Sequence, residues 1–328
     1  MPLQNSVRSY LGIAKETTKG TAVTTPAGYI PVAQSKLKAT TIIDTLLDEG
    51  LRGSLTNNYN WIAGRKYSQL EFGGPVFQDT FGWALAGLLG EDSTAGAANP
   101  YTHTIALKYA AAAGADAQPT SYTIVDFNGT NARSYAGCQF SDLTLNFSAD
   151  GLLEYDAKAT GFGSATATTP TPSFTTVTPM PVWKATVTIG GTAVAYTTEG
   201  SISMSRPVTP IFGINNTQDP YQIFLGPLEV KGQLKFAMND DTEVTRFLNQ
   251  TSANLPSLVL NWSDGANIQV QATLTKGAYT ASVVDRGKDY VEVAVDITGI
   301  ANTTDAGTGG QSPIKWVLKN ALPSGTYI

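Results

Sequence analysis

The 328-residue chain has one cysteine, Cys138, and one histidine, His103. The single cysteine excludes an internal disulfide and any cysteine-built metal site, and it is expected to be a small buried residue. The single histidine sits in the Thr-rich stretch 101–104 and is expected to be structural. One imidazole does not supply the usual ligand set of a histidine metal site, and nothing near it has the pattern of a catalytic triad. Charge is scarce as well: Asp, Glu, Lys and Arg make up 14 % of the residues, with a formal net charge of −5. Gripping nucleic acid takes clustered Lys and Arg, so that role is excluded, whereas letting DNA slide past a mildly acidic wall is not. The longest apolar run, Trp83 to Leu89, is too short for a bilayer, and residues 1–8 have no signal-like apolar core. No membrane partner is expected, and assembly in a cytoplasm is. There is no Gly-rich phosphate loop between a strand and a helix, and no cofactor is expected.

Gly (32) and Pro (17) are plentiful, and with abundant Thr and Ala they favour many short strands joined by turns over long helices. The chain is long enough for two domains, each with its own core. The chain is organised around Phe140 to Phe162. Leu143, Leu145 and Phe147 alternate with Asp142, Thr144, Asn146 and Ser148; Asp150-Gly151 turns the chain; then Leu153, Tyr155, Ala157 and Ala159 alternate with Glu154, Asp156, Lys158 and Thr160. This is a β-hairpin with one apolar and one polar face. The pattern recurs at Ser282 to Ile300, where Val291, Val293, Val295 and Ile297 alternate with Glu292, Ala294, Asp296 and Thr298. The copies end alike, Ala159-Thr160-Gly161-Phe162 against Ile297-Thr298-Gly299-Ile300. A one-residue slip would turn the apolar face to water, so matched parity implies matched architecture.

The expected class is therefore mainly β (α+β), with two tandem units that each carry one flanking α-helix. The first unit is expected over 1–163, a Pro/Thr-rich linker over 164–181, the second unit over 182–300, and a flexible run with a closing strand or arm over 301–328. Leu70-Glu71-Phe72 is expected as the strand before the first helix, which starts at an Asp79 N-cap and stops at Gly90. Leu234-Lys235-Phe236 answers it before a second helix, where Asp240 and Glu243 have capping-box spacing and Val244, Phe247 and Leu248 form a buried stripe. The first unit is longer by an Ala/Gly-rich insertion that includes Ala110 to Ala113. Trp83 and Trp262 are expected in the core.

Two stretches are expected to be long loops. Thr40 to Gly64 scatters apolar residues without sustained period, and either folds back on the core or projects to bury them against another subunit. Pro207 to Pro220 is the second. Paired carboxylates among Asp142, Asp150, Glu154 and Asp156 are also compatible with a two-carboxylate hydrolase, though alternating acids on a strand usually mark a solvated face. A carbohydrate-binding β-sandwich surface protein would share the strand-rich composition, as would a virion protein such as a capsid decoration protein.

The chain resembles the tail tube (major tail) proteins of long-tailed bacteriophages. The resemblance rests on residues 6–17 (Ser6-Val7-Arg8-Ser9-Tyr10-Leu11 and onward), Leu51-Arg52-Gly53-Ser54, Phe72-Gly73-Gly74-Pro75 through Thr80, Ser121-Tyr122-Thr123 and Phe140 to Gly161. It implies β-sandwich units ringed so that one sheet lines a lumen for DNA, with a long loop docking on the adjacent ring, and no enzymatic activity. Carried over, inter-ring contacts fall on Leu46, Leu47, Leu51, Arg52, Leu55, Tyr59 and Trp61, and on Ile211, Phe212 and Ile214. Lumen-facing positions are Asp142, Asn146, Glu154, Asp156, Glu292 and Asp296. The implied partners are further copies of the chain, the tape measure protein and other tail proteins, with DNA passing non-specifically. A chain of two fused units would close as a trimer with pseudo-six-fold symmetry in preference to a hexamer.

Overall fold

The computed structural model describes residues 3, 5–110, 116–265 and 267–328. Of the alanine run expected at Ala110–Ala113, all but Ala110 lies outside them, as do residues 1, 2 and 4 of the opening stretch. Strand makes up 49 % and helix 8 %, with two α-helices among the described residues, so the expected mainly-β class holds.

One layer is a wall of eight antiparallel strands. In spatial order it runs β3 (Lys38–Asp48), β4 (Asn60–Pro75), β9 (Glu154–Phe162), β8 (Ala132–Ser148), β13 (Thr197–Ser205), β16 (Glu229–Ala237), β20 (Glu292–Gly299) and β19 (Gly277–Asp285). Both expected hairpins lie in it. On the first, Leu145 faces Tyr155 and Leu143 faces Ala157 across the pair, and these side chains are buried. On the second, Val293, Val295 and Ile297 are buried as the alternation required.

The other layer comes in two parts. The first is β2 (Gly28–Ile30), β1 (Tyr10–Lys15), β7 (Tyr122–Phe127), the first half of β8, and β10 (Ala165–Ala167). The second is β12 (Thr192–Ala193), β11 (Ala185–Ile189), β17 (Leu258–Ser263), β18 (Gln269–Leu274) and β21 (Lys315–Asn320). It is extended past β21 by β6 (Tyr101–Leu107) and β5 (Gly90–Ala95), a hairpin from the first half of the chain. β8 serves both layers by bending at Gly137, whose φ of 64° belongs to the left-handed region that glycine tolerates. In the second half β18 and β19 divide that task. A separate hairpin, β14 (Val208–Ile211) with β15 (Gln222–Leu225), carries the loop around Asn215.

The core between the layers is continuous through both halves. Trp83, Phe140, Leu145, Ile202, Trp262 and Val295 belong to one cluster. Helix α1 (Phe81–Leu89) lies inside it and all nine of its residues are buried, so it has no polar stripe. Its glycines admit neighbours: a Cβ at Gly82 would stand 2.2 Å from the Tyr327 ring. Asp79 does not cap it. Thr80 holds that position without a side-chain bond, and Asp79 Oδ2 instead accepts from Thr175 Oγ1 at 2.5 Å. The stop at Gly90, φ 90°, is as expected. Beside it the buried Arg206, just past β13, donates from Nη1 to the Leu88 carbonyl at 3.0 Å. A cation there complements the helix dipole and satisfies a carbonyl that the helix leaves unpaired.

Helix α2 (Thr242–Asn249) departs further from expectation. Glu243 makes no capping box; it is buried, paired with Arg246 at 2.9 Å and accepting from Tyr279 Oη at 2.6 Å. Val244 and Phe247 pack on the core, but Leu248 is 71 % exposed.

Thr40 to Gly64 is not an irregular loop. β3 and β4 run on past the wall as a two-stranded ribbon to Asp48 and Asn60, closed by a tip over residues 49–59. Beyond its base the ribbon is exposed on both faces, at residues 45–47 and 60–62, so its sequence has no burial alternation to read. The stretches expected to be loose are also tied down. The linker pairs through β10, and Leu153 N donates to the Met180 carbonyl at 2.8 Å. Within 301–312, Asn302 bridges to Ser312, and buried Asp305 accepts from Thr275 N and Oγ1, both at 2.7 Å. β21 docks on its own chain, and Tyr327 beyond it is buried against α1.

Candidate functional site

Two surfaces bring together the residues singled out from the sequence. The first is the polar face of the wall. Because side chains alternate along each strand, burying Leu143, Leu145, Tyr155 and Ala157 turns Asp142, Asn146, Glu154 and Asp156 outward. Lys36 approaches from the segment before β3 and bridges Glu154 (3.0 Å) and Asp156 (3.1 Å). Burial works against the Lys36 charge, but these two carboxylates outweigh it and hold its pKa above the ordinary lysine value. Asn146 Nδ2 donates to Asp156 Oδ2 at 3.3 Å, and Gln233 Nε2 donates to Asp296 Oδ1 at 2.8 Å. Lys158 pairs with Glu71 at 3.4 Å, and Lys231 with Glu229 at 2.9 Å. The face is a lattice of mixed charge, not a uniformly acidic strip. Glu292 is the exception to the expected set: it is 4 % exposed and covered by Lys288 at 2.7 Å, so its carboxylate does not front the wall. The turn that brings Lys288 back over it, residues 286–291, gave no sign of this in the sequence.

The second surface is the ribbon. Leu51 and Leu55 at its tip are fully exposed, and Leu46, Leu47 and Trp61 are about half exposed along its strands. Ile43 and Ile62 are about half exposed as well, and the register sets Leu46 with Ile62 on one face of the ribbon and Leu47 with Trp61 on the other. Arg52 and Tyr59 are engaged within the tip: the guanidinium lies 4.7 Å from the Tyr59 ring centre and pairs with Asp48. The second loop does not stand off beside it. Gln218 exchanges hydrogen bonds with the ribbon's base, accepting from Lys66 N at 2.8 Å and donating to the Ala63 carbonyl at 3.0 Å. Asp219 accepts from Gly163 N at 3.0 Å. Phe212 lies beneath Arg65, 4.9 Å from its guanidinium, while Ile214 is fully exposed and Ile211 partly so. The polar residues that make this brace follow no sequence pattern.

His103 is inside the molecule. Nδ1 lies 2.9 Å from Asp92 Oδ2 and Nε2 lies 2.9 Å from the Leu322 carbonyl. A carbonyl accepts only from an N–H, and the carboxylate is best served by another, so the site favours imidazolium. Burial opposes that charge, but Asp92 and the Leu322 carbonyl raise the pKa above the ordinary value. Cys138 is buried, as expected, and burial pushes its thiol well above the usual range. Among the described residues no group of three or more His, Cys, Asp or Glu is arranged to hold a metal ion, and no helix is long and apolar enough to cross a membrane.

A broad polar sheet face and a projecting ribbon with exposed apolar side chains stand out on this mainly-β fold. The family described as phage tail tube protein matches residues 6–301, and the chain belongs to that family. It is a structural component of a phage tail, and membership implies self-assembly into a tube and contact with other tail proteins. No curated protein matches the chain.

Proposed function

We propose that the chain is a duplicated tube subunit, three copies of which close head to tail into a ring that stacks on others and conducts DNA during ejection. The observation that carries this is the order of the wall. β3-β4-β9-β8 recurs as β13-β16-β20-β19 with every joint antiparallel, and the second layer's β2-β1-β7-β8-β10 recurs as β12-β11-β17-β18-β21. Both hairpins carry a register shift at the same place, between Phe140 and Asp142 on β8 and between Tyr279 and Ala281 on β19. Matching those shifts aligns Ala159-Thr160-Gly161 with Ile297-Thr298-Gly299, the punctuation shared in the sequence. The register also moves one expected correspondence: Leu234 faces Val295 as Phe72 faces Ala157, so Leu234 answers Phe72 and not Leu70.

The wall also supports closure. Eight alternating strands leave β3 and β19 as edges of opposite direction, so copies set head to tail join antiparallel, as β8 and β13 already do within the chain. At about 4.8 Å per strand and a tilt near 40°, three such walls enclose roughly 50 Å between backbones. That is on the order of 35–40 Å once side chains are allowed for. Two chains would leave roughly 20 Å, too tight for a hydrated duplex, and six would leave about 85 Å.

In this reading Asp142, Asn146, Glu154, Asp156 and Asp296 front the lumen, where carboxylates repel phosphates and Lys36, Lys158 and Lys231 are already paired with carboxylates, so DNA slides without being held. Leu46, Leu47, Leu51, Leu55 and Trp61 bury themselves against the adjacent ring. Ile211 and Ile214 lie beside them on the brace. The second loop packs on the first ribbon, so a ring presents three ribbons where six equal subunits would present six. The tape measure protein is among the expected tail partners, and assembly in the host cytoplasm before joining the virion tail is part of the reading. The mass of an isolated ring, with the symmetry of averaged electron micrographs, tests it. Three chains per ring is the expected result; six, with the second half decorating the outside, would overturn it.

A further inference from the structure

The β8–β13 joint contains more than a precedent for closure, because its register is known residue by residue. Asn146 faces Ser201, Leu145 faces Ile202, Thr144 faces Ser203, and Leu143 faces Met204. The matched register shifts make Asn146, Leu145, Thr144 and Leu143 the counterparts of Asp285, Val284, Val283 and Ser282. The pairing of β3 with β4 and of β13 with β16 makes Ser201, Ile202, Ser203 and Met204 the counterparts of Lys38, Ala39, Thr40 and Thr41. Resting on the ring reading above, we infer that β19 of one copy pairs with β3 of the next in one register. It sets Asp285 opposite Lys38, Val284 opposite Ala39, Val283 opposite Thr40 and Ser282 opposite Thr41.

Three observations outside the alignment agree with it. The register sets opposite charges face to face: among the described residues neither Lys38 nor Asp285 has an ion-pair partner in its own chain, and both are exposed. Directly opposed unlike charges favour a strand pair and like charges oppose it. Second, the Ser282 hydroxyl is buried without a partner, a cost that a native structure normally avoids. Thr41 Oγ1, which the register brings opposite, donates to Ser164 Oγ at 3.0 Å and lies 3.2 Å from Ser68 Oγ, which leaves one of its two lone pairs for the Ser282 proton. Third, the two seams differ as their histories require. The internal seam is never exposed and sets Leu145 on Ile202 and Leu143 on Met204. The seam between copies is bare until assembly and sets Val on Ala and Ser on Thr. Small and polar residues with charges at the end of the row are how a free strand edge avoids indiscriminate pairing.

The test is oxidation of assembled rings carrying paired cysteines, Val284→Cys with Ala39→Cys and, separately, Val283→Cys with Thr40→Cys. Directly opposed residues of an antiparallel pair stand about 5.5 or about 4.5 Å apart between Cα atoms, both within the span of a disulfide, and testing two successive pairs samples both spacings. Native Cys138 is buried and does not compete. The expected product is a covalent ladder that ends at the number of chains in the ring and needs both cysteines. Wild-type rings that form while only a pair slipped by two, Ser282→Cys with Ala39→Cys, cross-links would overturn the register and leave the ring reading standing. No rings from wild-type protein, or rings in which no pair across these strands cross-links, would overturn closure through this wall. Charge exchange gives a second readout that does not depend on cysteines. Lys38→Asp and Asp285→Lys singly should each lower the ring fraction several-fold at low salt and together restore it; failure of the double variant to recover counts against the pairing.

Discussion

Leu145 on β8 and Ile202 on β13 face each other across the seam that joins the two halves of the chain, and both side chains are about 1 % exposed. The seam is therefore core, with wall strands continuing on either side. Truncating either residue to alanine leaves a cavity and should cost about 2–5 kcal/mol. Because the core is shared, both variants should shift the same single denaturant transition; two transitions, with only one moved, would mean that the halves fold independently.

Glu16 is buried, and its carboxylate accepts four hydrogen bonds: Thr123 Oγ1 and Gly137 N on Oε1, Ser121 Oγ and Gly20 N on Oε2. The two hydroxyls can rotate but the two backbone N–H groups cannot. Glu16→Gln puts an amide NH2 against one of those N–H groups whichever way it is turned, with an expected loss of about 1–3 kcal/mol. Urea melts of the two proteins check it, and an unchanged midpoint would contradict the geometry.

The one histidine gives a pH signature. His103 is held above its ordinary value when folded, so the fold favours its protonated form. The stability this supplies is complete below the unfolded pKa of about 6.5 and is lost as pH rises through the higher folded value. Melting temperatures should fall across that window in the wild type. His103→Gln should start lower, because Asp92 loses its cation, and should stay level through the same window.

Leu51 and Leu55 touch nothing of their own chain to any depth, so Leu51→Ser with Leu55→Ser should alter folding stability by no more than about 0.5 kcal/mol. Stacking is where the loss should appear: negative-stain images should show single rings in place of tubes. Tubes of ordinary length from the double variant would remove the tip from the inter-ring contact.

The strands of both hairpins were legible because one face of each is buried and period-two alternation records that burial. Helix α1 was legible through its apolar spacing and Gly90, although Asp79 turned out to serve Thr175. The ribbon was not, since toward its tip β3 and β4 are exposed on both faces and leave no alternation. The burial of Glu292 was not legible for a related reason: strand parity assigns a face but not what a neighbouring turn, here the one carrying Lys288, lays over it.

By itself the sequence determined which residues turn inward, where the chain turns, that two similar hairpins recur, and that cysteine and histidine are too few for the usual metal and catalytic sites. These are local properties, written in the order of polar and apolar side chains. The tertiary structure alone decided that β8 runs on into β13 to make one wall, that the β5–β6 hairpin of the first half completes the second half's layer, and that the loop around Gln218 braces the ribbon. Those pairings join residues far apart in the chain through backbone hydrogen bonds, and backbone groups are the same at almost every position, so side-chain order carries little record of which strand will be the neighbour.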